Sequence, residues 1–324
     1  MEITQSNARQ WSKLGSRGTF GQAILALAQD RPRLMVLSAD LGNSSGLDRF
    51  KKAYPEQFLN VGIAEQNMVG VAAGLAKEGF EVFMTSFAPF LALRASEQIR
   101  MNMGYMNLPV KAVAIGSGVS MAFLGNSHYG IEDAAIMRAI PNMTVVAPAD
   151  CAEIVKTVFA AAHYPHPMYI RLTGAANNPM VYQQDYEFEI GKAITLREGR
   201  DITLIANGTM VYQSLEAAKL LQAMGISATV VNMHTIKPLD TRVIDKAVRS
   251  SRLIVSVEEH SVVGGLGSAV AEYKAGLQHA PPQLILGLPD LFGKTGDYHY
   301  LLQAYGLTAE QLASRIRDRL QSLE

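Results

Sequence analysis

A single cysteine, Cys151, occurs among 324 residues. An intrachain disulfide is excluded, and such sparing use suits a reducing compartment. Neither sign of charge is in excess: 29 basic and 29 acidic residues give a formal net charge of zero. No Lys/Arg block supplies a local field either, so nothing draws nucleic acid or an anionic membrane. No apolar run reaches the ~18 residues that a membrane-spanning helix needs. The opening residues, MEITQSNARQW, lack the basic stretch and apolar run of a secretory signal. No short-period repeat and no low-complexity tract interrupts the chain. A soluble, cytoplasmic protein is the expectation.

What the chain does have is apolar surface to bury. Hydrophobic residues make up 48% and charged residues only 18%, the balance of a globular protein. At about 150 residues per domain, the length suggests two domains. Short β-rich runs at 34–40, 81–87, 110–117, 143–150 and 168–172 alternate with helical spacing at 19–30, 64–78, 89–104, 131–139 and 150–162. The pattern repeats with strands expected at 202–208, 226–233, 252–260 and 284–289 and helices near 210–224, 239–249, 265–278 and 308–322. Continuous apolar strands separated by helices imply parallel sheets covered on both faces. Turn formers without periodicity at 173–193 place the junction there. The expected fold class is α/β, with two consecutive parallel-sheet domains at 1–180 and 190–324. In such sheets ligands bind beyond the carboxyl ends of the strands, where the turns SADLGNSSG, TSFAPF and APAD cluster.

One group stands out. From Gln57 to Ala76 the only ionisable side chain is Glu65, set among Ala, Gly, Val, Ile, Leu and Met. An unpaired carboxylate in such a setting costs several kcal/mol, roughly, so it needs a partner. It could cap its own helix or pair with a distant arginine. It could also serve a ligand.

Four stretches bear on that choice: NVGIAEQNMVGVAAGLAKEG, SFAPFLALRASEQIR, LGNSHYGIEDAAIMRAIPNMTVVAPAD and VEEHSVVGGLGSAV. From about Leu14 onward, in order, the chain resembles the C-terminal half of a transketolase, and specifically the C-terminal subunit of a transketolase split into two polypeptides. The resemblance implies a pyrimidine-binding domain followed by the transketolase C-terminal domain, both working with thiamine diphosphate. Glu65 matches the glutamate that hydrogen-bonds the cofactor's aminopyrimidine, with Ile63 in the same turn. Phe87 and Phe90 match the aromatic wall around that ring, where stacking adds about 0.5–1.5 kcal/mol beyond burial. His128 matches a histidine near the cofactor amine and substrate, a residue type able to give or take a proton near neutral pH. Glu132 matches too, with holding its helix in place as the simpler role.

The resemblance also implies a phosphate site made by Arg17, Ser44 and Arg171, and hence a phosphorylated or similarly anionic sugar. Two positions depart from the family pattern. Leu124 stands where an aspartate meets a substrate hydroxyl, and Gly116 where a histidine helps at the phosphate end. A hydroxyl facing Leu124 loses a partner, at about 1–3 kcal/mol. No Gly-Asp-Gly stretch for a Mg²⁺-diphosphate site is found, and the GGLG at 264–267 reads as a turn into a helix. The metal is therefore expected on an N-terminal partner subunit and none on this chain, in an α2β2 assembly. Related readings are a 2-oxo acid dehydrogenase β-type subunit or a part of a deoxyxylulose-phosphate synthase. A non-catalytic scaffold subunit is the alternative from another class.

Overall fold

The computed structural model describes residues 1–323, which form two sheets flanked by helices. The strands are β1 (Leu34–Ser38), β2 (Phe58–Asn60), β3 (Glu81–Phe87), β4 (Lys111–Ile115), β5 (Thr144–Val146), β6 (Met168–Arg171), β7 (Ile194–Arg197), β8 (Ile202–Ala206), β9 (Ala228–Asn232), β10 (Thr235–Lys237), β11 (Leu253–Ser261) and β12 (Gln283–Leu288). The helices are α1 (Gln5–Leu27), α2 (Asp48–Ala53), α3 (Glu65–Lys77), α4 (Ser96–Gln98), α5 (Asp133–Ala139), α6 (Cys151–His163), α7 (Met210–Ala223), α8 (Thr241–Ser250), α9 (Leu266–Ala275), α10 (Tyr298–Ala304) and α11 (Ala309–Gln321). Wider π-helical turns, Phe90–Arg94 and Ile99–Tyr105, flank α4.

The first sheet has seven strands in the order β10-β5-β6-β4-β3-β1-β2, and the second five in the order β12-β11-β8-β9-β7. Pairing is parallel except at two edges, where β10 meets β5 and β7 meets β9 antiparallel. The central strands are buried along their whole length, because helices cover both faces and leave no polar side to alternate with. The segment 173–193 holds neither helix nor strand, as its turn formers lead one to expect.

Three differences from the sequence reading have local causes. Helix α1 begins at Gln5 rather than near residue 19, capped by Thr4, whose side chain accepts from the Asn7 amide. Its first half is polar and buries only Ala8 and Trp11 before a break at Gly15, so it shows little periodicity. At that break φ is +74°, and a side chain would strike the Ala175 carbonyl, so the interdomain segment can pass close by. The short edge strands β2, β7 and β10 carry no apolar run. Strand β10 also crosses over: it lies late in the sequence yet completes the first sheet, with Thr235 opposite Val146 and Lys237 opposite Val145.

Candidate active site

The turns after β1, β2, β3 and β4 gather at one end of the first sheet. Asn60 ties two of them, its Oδ1 accepting from the amides of Asp40 and Gly62 at 3.0 Å each. That brace aims the chain into α3, whose first residue is Glu65. The carboxylate turns inward and is 1% exposed. Its Oε1 accepts from Ser86 Oγ at 3.0 Å, and its Oε2 pairs with Arg94 Nη1 at 2.8 Å. The helix N-terminus adds favourable potential for the negative charge. Within the chain itself, then, the carboxylate has a distant arginine for a partner.

Beside it lies an aromatic triangle. Phe87 ends β3 and Phe90 opens the π-helical turn after Pro89. Their ring centroids are 5.7 Å apart, and His128 sits 5.4 Å from Phe87 and 5.3 Å from Phe90, each edge to face. The Arg94 guanidinium lies over the Phe90 ring, 4.0 Å from its centroid. His128 is half-buried, its Nδ1 3.0 Å from Ser127 Oγ. Ile63, by contrast, is 79% exposed on the rim of the turn. Glu65, Phe87, Phe90 and His128 thus converge, while Arg94 and Ser86, which no motif reading singled out, complete the cluster. Only the four-residue spacing of Phe90 and Arg94 hinted at a guanidinium over a ring.

The expected anion ligands divide. Arg17 is exposed on α1, and Gly46 packs its backbone against the Arg17 carbonyl, which brings the 40–47 turn alongside. In that turn Ser44 lines a cavity of about 220 Å³ with Asp40, Asn43, Lys51 and Asn60. Arg171, expected to bind substrate, is instead turned into the interior of the chain. It is 1% exposed, with Nε 2.9 and 3.0 Å from the two Asp133 carboxylate oxygens. Its Nη2 donates to the carbonyls of Gly130 at 2.9 Å and Glu259 at 2.6 Å. A strand-end arginine can face out or in, and the buried Asp133 at the start of α5 draws this one in. Glu132, just before, is half-buried at the same helix start and makes no capping bond.

Gly116 has φ +68°, and a side chain there would lie 2.5 Å from Met121 Sδ. Met121 thus fills the room a histidine would need. Leu124 is exposed, next to the more exposed Phe123. The GGLG turn leads into α9, but the amides of Leu266 and Gly267 are both taken by the Glu258 carboxylate, at 2.7 and 2.8 Å. No anion cradle remains there. Among the described residues no group of three or more His, Cys, Asp or Glu side chains is placed to hold a metal ion. No described helix is long and apolar enough to cross a membrane.

Two consecutive α/β sheets with a buried carboxylate and aromatic triangle at one strand end define a class that comparison makes specific. Residues 12–178 match the family model of the transketolase pyrimidine binding domain, and residues 191–312 that of the transketolase C-terminal domain. The chain belongs to the transketolase family. It is 38% identical to an apulose-4-phosphate transketolase subunit of Phocaeicola vulgatus, covering 92% of this chain and 95% of that protein. It is 39% identical to the 6-deoxy-6-sulfo-D-fructose transketolase subunit SqwH of a Clostridium species, with 91% of each covered. A solved structure described as a split gene transketolase, inactive beta4 tetramer, is 43% identical, with a TM-score of 0.85 and 94% and 98% of the two chains covered.

Proposed function

We propose that the chain forms the C-terminal half of a split transketolase active site. With an N-terminal subunit that supplies the diphosphate and Mg²⁺ site, it transfers a two-carbon ketol unit from a phosphorylated or similarly anionic ketose to an aldose. The observation that carries this reading is the buried Glu65 carboxylate beside the Phe87–Phe90–His128 triangle. The residues fit an aminopyrimidine, because a planar nitrogen-bearing group, the Arg94 guanidinium, already rests on Phe90 and bonds Glu65. Bound there, thiamine diphosphate supplies the carbanion chemistry of ketol transfer.

Each protein group then has a task. Glu65 holds a proton at a ring nitrogen, its hydrogen bond strengthened by the surrounding low dielectric. Phe90 offers a stacking face with Phe87 behind it, and Ile63 closes the rim. His128 gives or takes a proton at a substrate oxygen. Arg17 and Ser44 take the anionic end of the sugar without help from Arg171. That relatives are named for a sugar phosphate and a sulfo-sugar supports an anionic substrate. That a 43% identical structure is described as inactive when built of β chains alone supports a requirement for a second kind of chain, in an α2β2 assembly. A cytoplasmic setting agrees with the lone, buried Cys151. Leu124 and Gly116 favour a second reading, a non-catalytic subunit that retains the fold.

A mixing experiment tests the first reading. Combined with its N-terminal subunit, the chain should show ketol transfer that requires thiamine diphosphate and Mg²⁺, and alone it should show none. In the mixture, Glu65→Gln should lose most turnover with an unchanged melting temperature. Turnover by the chain alone would refute the shared site, and an unaffected Glu65→Gln rate would favour the non-catalytic subunit.

A further inference from the structure

Arg94 makes two contacts at once. Its Nη1 is 2.8 Å from Glu65 Oε2, and its guanidinium carbon is 4.0 Å from the centroid of the Phe90 ring. These are the two contacts that the proposed function assigns to an aminopyrimidine: an edge-on hydrogen bond to Glu65 and a face on Phe90. A guanidinium is flat, edged with N–H donors and able to stack, so it can imitate such a ring where a lysine cannot.

The two groups compete for the same place, because the guanidinium holds Glu65 Oε2 and lies over the Phe90 ring. The other Glu65 oxygen already accepts from Ser86. The remaining aromatic neighbours of Phe90 meet it at steep angles, 78° for Phe87 and 62° for His128, and leave its stacking face to the guanidinium. Arg94 is also the partner free to leave. Its side chain is 45% exposed against 1% for Glu65. Its backbone is held separately by Gln66, whose Nε2 donates to the Arg94 carbonyl at 3.1 Å, so the side chain can swing without moving the turn.

We propose that Arg94 is a resident stand-in for the cofactor's heterocycle. It partners Glu65 and covers Phe90 while the chain lacks cofactor, and it sets cofactor affinity because it must be displaced. The physical need is clear: a carboxylate this buried is costly when left unpaired. A chain made separately from its partner subunit passes through a state in which that need must be met internally. Apparent affinity is then lowered by the small fraction of molecules whose guanidinium has already vacated the site.

This inference rests on the proposed function, and the test separates the two. Thiamine diphosphate binding, in the presence of Mg²⁺, is measured by calorimetry on the chain assembled with its N-terminal subunit. Arg94→Ala should bind about tenfold more tightly than the native complex, with Arg94→Lys between them. The cofactor-free Arg94→Ala chain should melt below the native one, and saturation with cofactor should close that gap. Equal or weaker binding by Arg94→Ala, while Glu65→Gln and Phe90→Ala also bind weakly, would show that Arg94 supports the bound state and overturn the stand-in role. Native-like binding by Glu65→Gln and Phe90→Ala would remove the site reading and this inference together. Should Arg94→Ala fail to fold, Arg94→Gln carries the same comparison.

Discussion

Lys111 lies at the start of β4, buried, with its Nζ donating to the carbonyls of Tyr164 at 2.6 Å and His166 at 2.7 Å. Burial pushes its ammonium down from the ordinary 10.5 to about 7, with Glu81 opposing in part. The unfolded chain keeps this proton up to about 10.5, the folded chain only to about 7. Between those values the unfolded state binds more protons, so stability gains from this site as pH rises and is lost as pH falls. Denaturation titrations from pH 7 to 10 should show the site adding up to about 1.4 kcal/mol per pH unit. Lys111→Gln should flatten that part of the profile, and an unaltered profile would refute the assignment. At this scale the sequence was partly legible. Glu65 was visible because no other ionisable group lies within its stretch. Arg94 was not, because only folding brings it across to Glu65, and the burial of Arg171 was not, because an inward arginine is spelled like an outward one.

At the scale of elements, the turn after β4 carries His128 and is clasped by the second domain. Glu259 accepts from the Val119 amide at 2.8 Å, from Thr209 Oγ1 at 2.7 Å and from Tyr298 Oη at 2.6 Å. Burial raises its carboxyl above the usual range, with these donors opposing. Gly118 allows the clasp: its φ is +68°, and any side chain would run into the Glu259 carboxylate. Gly118→Ala should therefore cost about 1–3 kcal/mol, lower the melting temperature by several degrees and impair turnover through displacement of His128. A native-like melt with native turnover would refute the clasp. The long apolar strands and most helices were readable because burial on both faces writes itself into composition. The three- and four-residue edge strands were not, since their pairing depends on neighbours rather than on a run of their own.

At the scale of the whole molecule, the two sheets are bound through ions as well as through packing. Arg171, at the end of β6, pairs with Asp133 in the first domain and donates to the Glu259 carbonyl in the second. Removing one member of a buried pair leaves the other uncompensated, at about 3–5 kcal/mol. Arg171→Ala should melt well below the native chain and expose the segment 173–193 to proteases, with a larger effect on stability than on the KM for sugar. An unchanged melt with a raised KM would return Arg171 to the substrate. The alternation of strands and helices gave away both sheets, yet not their interlock, because no local pattern reports which sheet a three-residue strand will join.

That interlock restricts where this protein can be divided. Strand β10 closes the outer side of β5 with residues that follow the junction by some forty positions. A cut between the two sheets would bare a hydrogen-bonding edge that invites other chains to add to it. A division within the span of these two sheets therefore exposes the outer edge of β5, whereas one outside that span leaves the pairing of β10 with β5 intact.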